Sequence, residues 1–502
     1  MKVAIRVDAS SQIGTGHFMR CLTLADALKQ RGAQVRFVSR FLPEHLLGML
    51  VEKGHQSIRL NSSLSEVMQY DLVHAHWLGT SQHADAQESI QALSDQIWDW
   101  LVVDHYALDA RWESALHQSA KHLLVIDDIA DRRHDCDLLL DQNYYADMGT
   151  RYVGKVPEHC QLLLGPRYAL LRDEFRQLRE QVKPRVGPVK NVLVFFGGVD
   201  ADNYTGRAVE ALSNLDIEGL NVDVVIGAQH PHREQIESAC AENQFVFHVQ
   251  TMRMAKLMTA ADLSIGAGGS ATWERCCLGL PTFAIGTAEN QVKQVADAAS
   301  EGLLYAIETK DDLTQTIKRH LGTLLENDYL RQAISRKALQ AVDGRGVLRV
   351  IGYLGFNTIK IIRAAQDDLE KLYAWRNHPS IRAVSRNPEV ITWADHQNWF
   401  SEMLVSTDRV LLIGQCDDEP MGVVRFDIQD GEAEVSIYVV PGIEKVGLGH
   451  DLLQAAERWL VASRPEVCTV RAHVLADNER SQRLFLGSGY QVDSTYFSKR
   501  LQ

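Results

Sequence analysis

Short apolar runs alternate with segments of helical periodicity from the first residue to about 345, the order expected of parallel sheets covered by helices. KVAIRV, VRFVS, WLVVD, HLLVID and DLLLD read as strands of a first half. Between the first two, Phe18, Cys21, Leu22, Ala25 and Leu28 share one face of a predicted helix over residues 18–31, and Gly32 follows as a stop. NVLVFFGG opens a second half, continued by VDVVIG, DLSIGAGG and PTFAIG. The charged stretch 172–187, with Pro184 and Gly187, is the expected connection. Near residue 356 the pattern changes: NTIKIIRAA, RVLLIGQC, MGVVRFDI and AEVSIYVV follow one another with few helices between, as in an α+β domain with an antiparallel-rich sheet. No internal repeat or low-complexity tract interrupts this order.

A chain of 502 residues exceeds what one core supports, so several domains are expected, here 1–171, 188–350 and 356–502. The formal charge of −13 argues against a nonspecific binder of nucleic acid or anionic membrane, which needs a basic surface. Arg6 and Asp8 break the apolar opening, and no later stretch reaches the roughly 18 apolar residues of a membrane span. A cytoplasmic protein is expected. The eight cysteines include no C-x-x-C, so reduced thiols are expected, with neither a disulfide framework nor a metal site.

The segment IGTGH, residues 13–17, joins the first strand to the first helix. Gly14 and Gly16 let the backbone approach a ligand, and free N–H groups at a helix start favour an anion. The third glycine of the dinucleotide fingerprint is missing, which excludes an NAD-type loop. His17 stands at the helix start, where the dipole favours the neutral imidazole that a general base needs. A histidine that merely caps or packs is the plainer reading of that residue alone. The whole run, carried by Arg6, Asp8, Ser10, Ile13, Gly14, Gly16, His17, Arg20, Cys21, Leu24 and Ala25, resembles the opening of the UDP-2,4-diacetamido-2,4,6-trideoxy-β-L-altropyranose hydrolases of pseudaminic acid synthesis. The resemblance makes His17 the catalytic base and Arg6, Gly14, Gly16 and Arg20 parts of the substrate site. Asp8 is a candidate to orient His17 or the sugar amides, and equally a structural carboxylate at a strand end. Asp104, His105 and Tyr106 follow a strand's carboxyl end, where α/β sites lie, and are candidate substrate contacts.

In the second half, GAGGSATWE runs from a strand through a glycine turn into a helix, so amides near Gly268, Gly269 and Ser270 are placed for a pyrophosphate. Glu274, about one helical turn after Ser270, is a candidate for the ribose hydroxyls, and otherwise an exposed helix glutamate. With Pro281, Asn290 and Gln291 this segment is similar to the nucleotide-binding half of GT-B glycosyltransferases, and Gly197, Gly198 and Asp200 of FFGGVDADN are expected at the cleft. The resemblance implies a GT-B-like pair of Rossmann-like halves that releases UDP by C–O cleavage, without a metal.

Residues 356–502 resemble GNAT acetyltransferases, in the branch that acetylates the 4-amino group of a UDP-4-amino-4,6-dideoxy sugar. Val446, Gly447, Gly449 and His450 stand where that family's backbone amides meet the acetyl-CoA diphosphate; Asn478 and Ser481 where it meets the pantetheine arm; and Arg376 and His396 on the substrate side. Glu434 is a candidate proton relay, or an exposed strand glutamate. Two residues depart from the family: Glu444 replaces a Gln or Arg before the glycine loop, and Phe485 replaces the tyrosine that protonates the leaving thiolate. Tyr490, Ser481 or water is the expected substitute. The combined reading is a bifunctional enzyme of UDP-sugars and acetyl-CoA. The competing one is an inverting glycosyltransferase fused to a non-catalytic or protein-acetylating domain.

Overall fold

Val3, Ala4, Ile5 and Val7 are buried because β1 (Lys2–Val7) lies inside a parallel sheet covered on both faces. In the computed structural model this sheet has the order β3-β2-β1-β4-β5-β6-β7, with β2 (Gln34–Ser39), β3 (Gln56–Arg59), β4 (Trp98–Asp104), β5 (Ala120–Ile126), β6 (Leu138–Asp141) and β7 (Gln161–Leu164). All residues are described except 11, 62–70, 216–218, 308–312, 356–358, 417–418, 444–447, 476 and 493–502. The strand order reverses between β1 and β4, and a cleft opens at such a point beyond the strands' carboxyl ends.

The second parallel sheet runs β10-β9-β8-β11-β12-β13, from β8 (Asn191–Phe195), β9 (Asn221–Ile226), β10 (Val246–Val249), β11 (Leu263–Ala267), β12 (Thr282–Ile285) and β13 (Tyr305–Ala306). Its own reversal falls between β8 and β11, so FFGG and GAGG leave neighbouring strands side by side. The connection 172–187 is not wholly irregular: it contains the helix Asp173–Arg179, pinned by the buried Phe175.

The chain divides into two units, Met1–Leu354 and Gly355–Gln502. In the first, the helix Gly346–Tyr353 returns to the first half. Arg349 Nη1 donates to the Arg167 carbonyl at 2.7 Å, and Trp100 Nε1 donates to the Leu354 carbonyl at 3.1 Å. Gly346 permits this approach, since a Cβ there would stand 2.2 Å from the Ala169 carbonyl oxygen.

The second unit holds a mixed sheet, β14-β15-β16-β17-β18, made of β14 (Lys360–Arg363), β15 (Arg409–Cys416), β16 (Glu419–Gln429), β17 (Glu432–Val439) and β18 (Thr469–Ala472). The first four are antiparallel, and β18 joins β17 in parallel. The helix Leu448–Ser463 buries Leu448, Leu452, Leu453, Ala456 and Leu460 in the core that the sheet shares.

The Gly346→Ala substitution should destabilise the front unit by about 1–3 kcal/mol, because the new methyl meets fixed backbone; urea denaturation measures it. A pH effect follows from the buried His134, whose Nδ1 lies 2.8 Å from Glu113. Burial opposes its charge, but Glu113 and Asp127 raise its pKa from 6.5 to about 9. The stability it contributes is therefore complete below the unfolded value and is lost as pH rises through about 9. Unfolding free energy should fall by on the order of 1–3 kcal/mol across that window, and His134→Gln should flatten the slope.

Candidate active sites

Strand alternation sorts the groups at the cleft of the front unit. Val7 of β1 pairs with Asp104 of β4, so Asp8 and His105, each one residue on, point to the opposite face from Asp104. On that face Arg6 holds Asp8 at 2.7 and 3.0 Å and Asp85 at 2.8 Å, and Arg40 reaches Asp85 at 2.9 Å. His105 Nε2 lies 3.2 Å from Asp8, and the Arg40 amide donates to Asp8 at 2.7 Å. Burial penalises the Asp8 carboxylate, yet Arg6 and His105 hold it well below the usual range. Two expectations are corrected here. Asp8 does not orient His17, and Arg6, with no exposed surface, is part of a buried ion network instead of a substrate contact.

Asp104 orients the histidine. Its Oδ1 lies 2.6 Å from His17 Nδ1, and Arg20 binds both carboxylate oxygens, Nε to Oδ2 at 2.6 Å and Nη2 to Oδ1 at 2.7 Å. Burial alone would raise the Asp104 pKa, but Arg20 and then His17 keep it well below the usual range. A carboxylate can only accept, so Nδ1 presents a proton to it, and in the neutral ring Nε2 then keeps the lone pair. That is the tautomer of a general base. His17 is in the first turn of the helix Gly16–Gln30, which has no side-chain cap. Arg20, Asp104, His105 and Tyr106, expected to touch substrate, are each buried with their polar groups on protein partners. They support the site from beneath.

Beyond Tyr106, residues that the sequence reading passed over stand around His17. The Tyr106 ring meets its imidazole edge-on at 4.6 Å, and Trp77 stacks on Tyr106 at 5.5 Å with His74 4.5 Å from Trp77. The segment VHAHWLG carries no local pattern that announces this. Asp128 is the other omission: it accepts from Arg20 Nη1 at 3.0 Å and from the Tyr106 hydroxyl. Its place just after β5, beside the strand reversal, was a usable signal.

Across the cleft, Ser270 Oγ stands 3.8 Å from where a Cβ on Gly16 would be, so the two glycine turns face each other. Gly14 has φ +77°, and Gly268 has no room for a side chain, since its Cβ would fall 2.0 Å from Val295 Cγ2. Gln291 braces this turn, its Oε1 accepting from the Thr287 amide at 3.2 Å and its Nε2 lying 3.5 Å from a Cβ on Gly269. Asn290 is exposed. Glu274 lies 3.7 Å from Arg172, and burial raises its pKa while Arg172 opposes the shift. Gly198 packs its backbone against Gly227, and Asp200 accepts from the amides of Tyr204 and Thr205 at 3.0 and 2.8 Å, capping the next helix. Among the described residues no group of three or more His, Cys, Asp or Glu is placed to hold a metal, and no helix is long and apolar enough to cross a membrane.

In the rear unit a cavity of about 400 Å³ is lined by Arg376, His396, Glu434, Asn478, Ser481 and Phe485, among others. Arg376 Nη2 donates to the Asn387 carbonyl at 3.1 Å, while its buried Nη1 has no partner. His396 is wedged against Phe400, and its Nε2 lies 3.2 Å from the Leu369 carbonyl. Glu434 pairs with Arg386 at 3.0 Å. Asn478 caps the helix Glu479–Gly487 by accepting from the Ser481 amide at 3.1 Å. Gly449 and His450 begin the helix Leu448–Ser463, with His450 Nδ1 2.8 Å from Ser488 Oγ. Glu444, Val446 and Gly447 lie outside the described residues. The Tyr490 expectation is corrected: its hydroxyl donates to Glu457 at 2.6 Å, and Tyr490 is not among the residues lining the cavity. Tyr438, which the sequence reading missed, does line it. Burial raises the Tyr438 pKa, and the phenol stays protonated.

Residues 359–491 match the family described as Acetyltransferase (GNAT) domain. An uncharacterized protein of Methanocaldococcus jannaschii is 22% identical over 98% of this chain and 97% of its own. A UDP-2,4-diacetamido-2,4,6-trideoxy-beta-L-altropyranose hydrolase of Campylobacter jejuni is 27% identical, covering 62% of this chain and 100% of its own. Among solved structures, MurG of Acinetobacter baumannii aligns with 70% of this chain and 99% of its own, at 17% identity and a TM-score of 0.49. The front unit, a pair of Rossmann-type halves, resembles the UDP-altropyranose hydrolase, and the rear unit carries a GNAT acetyltransferase domain.

Proposed function

We propose that this sugar-nucleotide-processing enzyme catalyses two consecutive steps of pseudaminic acid biosynthesis. The rear unit acetylates the 4-amino group of a UDP-4-amino-4,6-dideoxy-N-acetyl sugar. The front unit then hydrolyses the UDP-2,4-diacetamido-2,4,6-trideoxy-β-L-altropyranose so formed. The observation that carries the hydrolase reading is the His17–Asp104 pair, 2.6 Å apart and facing the Gly268–Ser270 turn. His17 Nε2 takes a proton from water as the water oxygen attacks the anomeric carbon, with inversion; the C–O bond to UDP breaks, and UDP leaves with the electron pair. Amides of the Gly268–Ser270 turn meet the developing diphosphate charge, and Glu274 holds the ribose. Length adds support, since the archaeal relative matches both units in one chain.

Acetyl-CoA is the second substrate. Gly449, His450, Asn478 and Ser481 are the described residues that would hold it, beside the 400 Å³ cavity. The substrate amine, once it has lost a proton through water to Glu434, attacks the thioester carbonyl; the C–S bond breaks, coenzyme A leaves as the thiolate, and the second proton shed by the new amide nitrogen passes through water to that thiolate. Phe485 cannot protonate that thiolate, and Tyr490 is turned to Glu457. Proximity carries the step, being able to supply more than an acid's ~10²- to 10⁴-fold share.

His17→Asn should retain UDP affinity and lose about 10²-fold or more of the hydrolysis rate, measured as UDP release with mass analysis of the freed sugar. Near-wild-type turnover removes His17 from the chemistry. For the rear unit, the unmodified chain should release thiol from acetyl-CoA in the presence of the UDP-4-amino sugar. Phe485→Tyr should change that rate by less than about 10-fold. Transfer seen only in the tyrosine variant would make the natural domain a binding module.

A further inference from the structure

One hydrogen bond joins the two halves of the front unit to the support of His17. Trp273 Nε1 donates to Asn143 Oδ1 at 2.8 Å, and Asn143 Nδ2 donates to Asp128 Oδ2 at 3.1 Å. The same Asp128 oxygen accepts from Arg20 Nη1 at 3.0 Å, and Arg20 in turn grips Asp104, which holds His17 Nδ1. Asp128 also accepts from the Tyr106 hydroxyl, whose ring packs edge-on against His17. Every member from Trp273 to Asp104 is buried, so water does not substitute for a missing link.

We propose that Asn143 and Trp273 are positioning residues for the hydrolysis: their bond across the halves aligns the Asp128–Arg20–Asp104 chain that fixes the base. The inference rests on His17 acting as that base. Chemistry gives the link a single arrangement. Indole N–H only donates and a carboxylate only accepts, so the Asn143 amide has one orientation that satisfies both neighbours. Trp273 lies three residues after Ser270, in the helix that follows the glycine turn, and moves with that turn. The base is therefore aligned in one relation of the halves, the one in which the glycine turns face each other.

Trp273→Phe tests this, because it keeps an aromatic ring in the core and deletes the donor. We expect kcat for UDP release to fall about 10-fold or more, while KM and UDP affinity by calorimetry stay within about twofold. The Nδ1–H proton signal of His17, identified by its absence in His17→Asn, should shift and exchange faster. Asn143→Ser should do the same, and the double variant should lose no more than the worse single one. Unchanged kcat and an unchanged His17 signal in Trp273→Phe would overturn the proposal, as would additive losses, or a loss confined to KM. If Trp273→Phe melts below the assay temperature, Asn143→Ser alone decides by the same readouts. If the unmodified protein releases no UDP from the diacetamido sugar, the hydrolase reading fails, and the His17 signal decides the positional link by itself.

Discussion

Burying the Asp104 carboxylate costs several kcal/mol unless its charge is met, and the fold meets it on two sides. Arg20 contributes a two-pronged grip, and His17 a 2.6 Å contact to one of the same oxygens. Each group needs the others. Without Asp104 the Arg20 guanidinium would be a buried cation facing only Asp128, and His17 would have no reason to keep its proton on Nδ1. The triad has an address because β4 lies beside β1 at the strand reversal, which sets the carboxyl end of β4 against the start of the helix Gly16–Gln30.

The opposite face of the same two strands shows a different use of charge. Arg6, Asp8, Asp85, Arg40 and His105 are all buried with their charges facing one another, which ties the loops after β1 and β2 together. Such a network is weak as a source of stability but strict about geometry, since removing one member leaves an unpaired buried charge. It is scaffold for the site, made of the same residue types that a substrate pocket uses.

The sequence was informative where structure is local and central. Among the described residues, twelve strands of the three sheets have partners on both sides, and all twelve read as apolar runs, as KVAIRV and RVLLIGQC do. The strands that escaped notice, β3, β7, β10, β13 and β18, are all at sheet edges. QSIR and TVRA bury little, so no hydrophobic pattern marks them. Glycine turns and His17 were legible for the same reason, being contained in a few consecutive residues. The partner of His17 was not: choosing Asp104 over Asp8 requires knowing that Val7 pairs with Asp104, a contact set by strands about a hundred residues apart. Asp128, Asn143 and Trp77 depend on still longer-range packing.

The return of the helix Gly346–Tyr353 to the first half makes the second half an insertion, entered through the 172–187 stretch and left through the residues before 346. A body held by two crossings resembles a door on two pins. It can swing about the line through both, while sliding or twisting away from that line strains one crossing or the other. Any opening of the cleft would thereby be reduced to nearly one degree of freedom, and a return along it would bring Trp273 and Asn143 back into the same register.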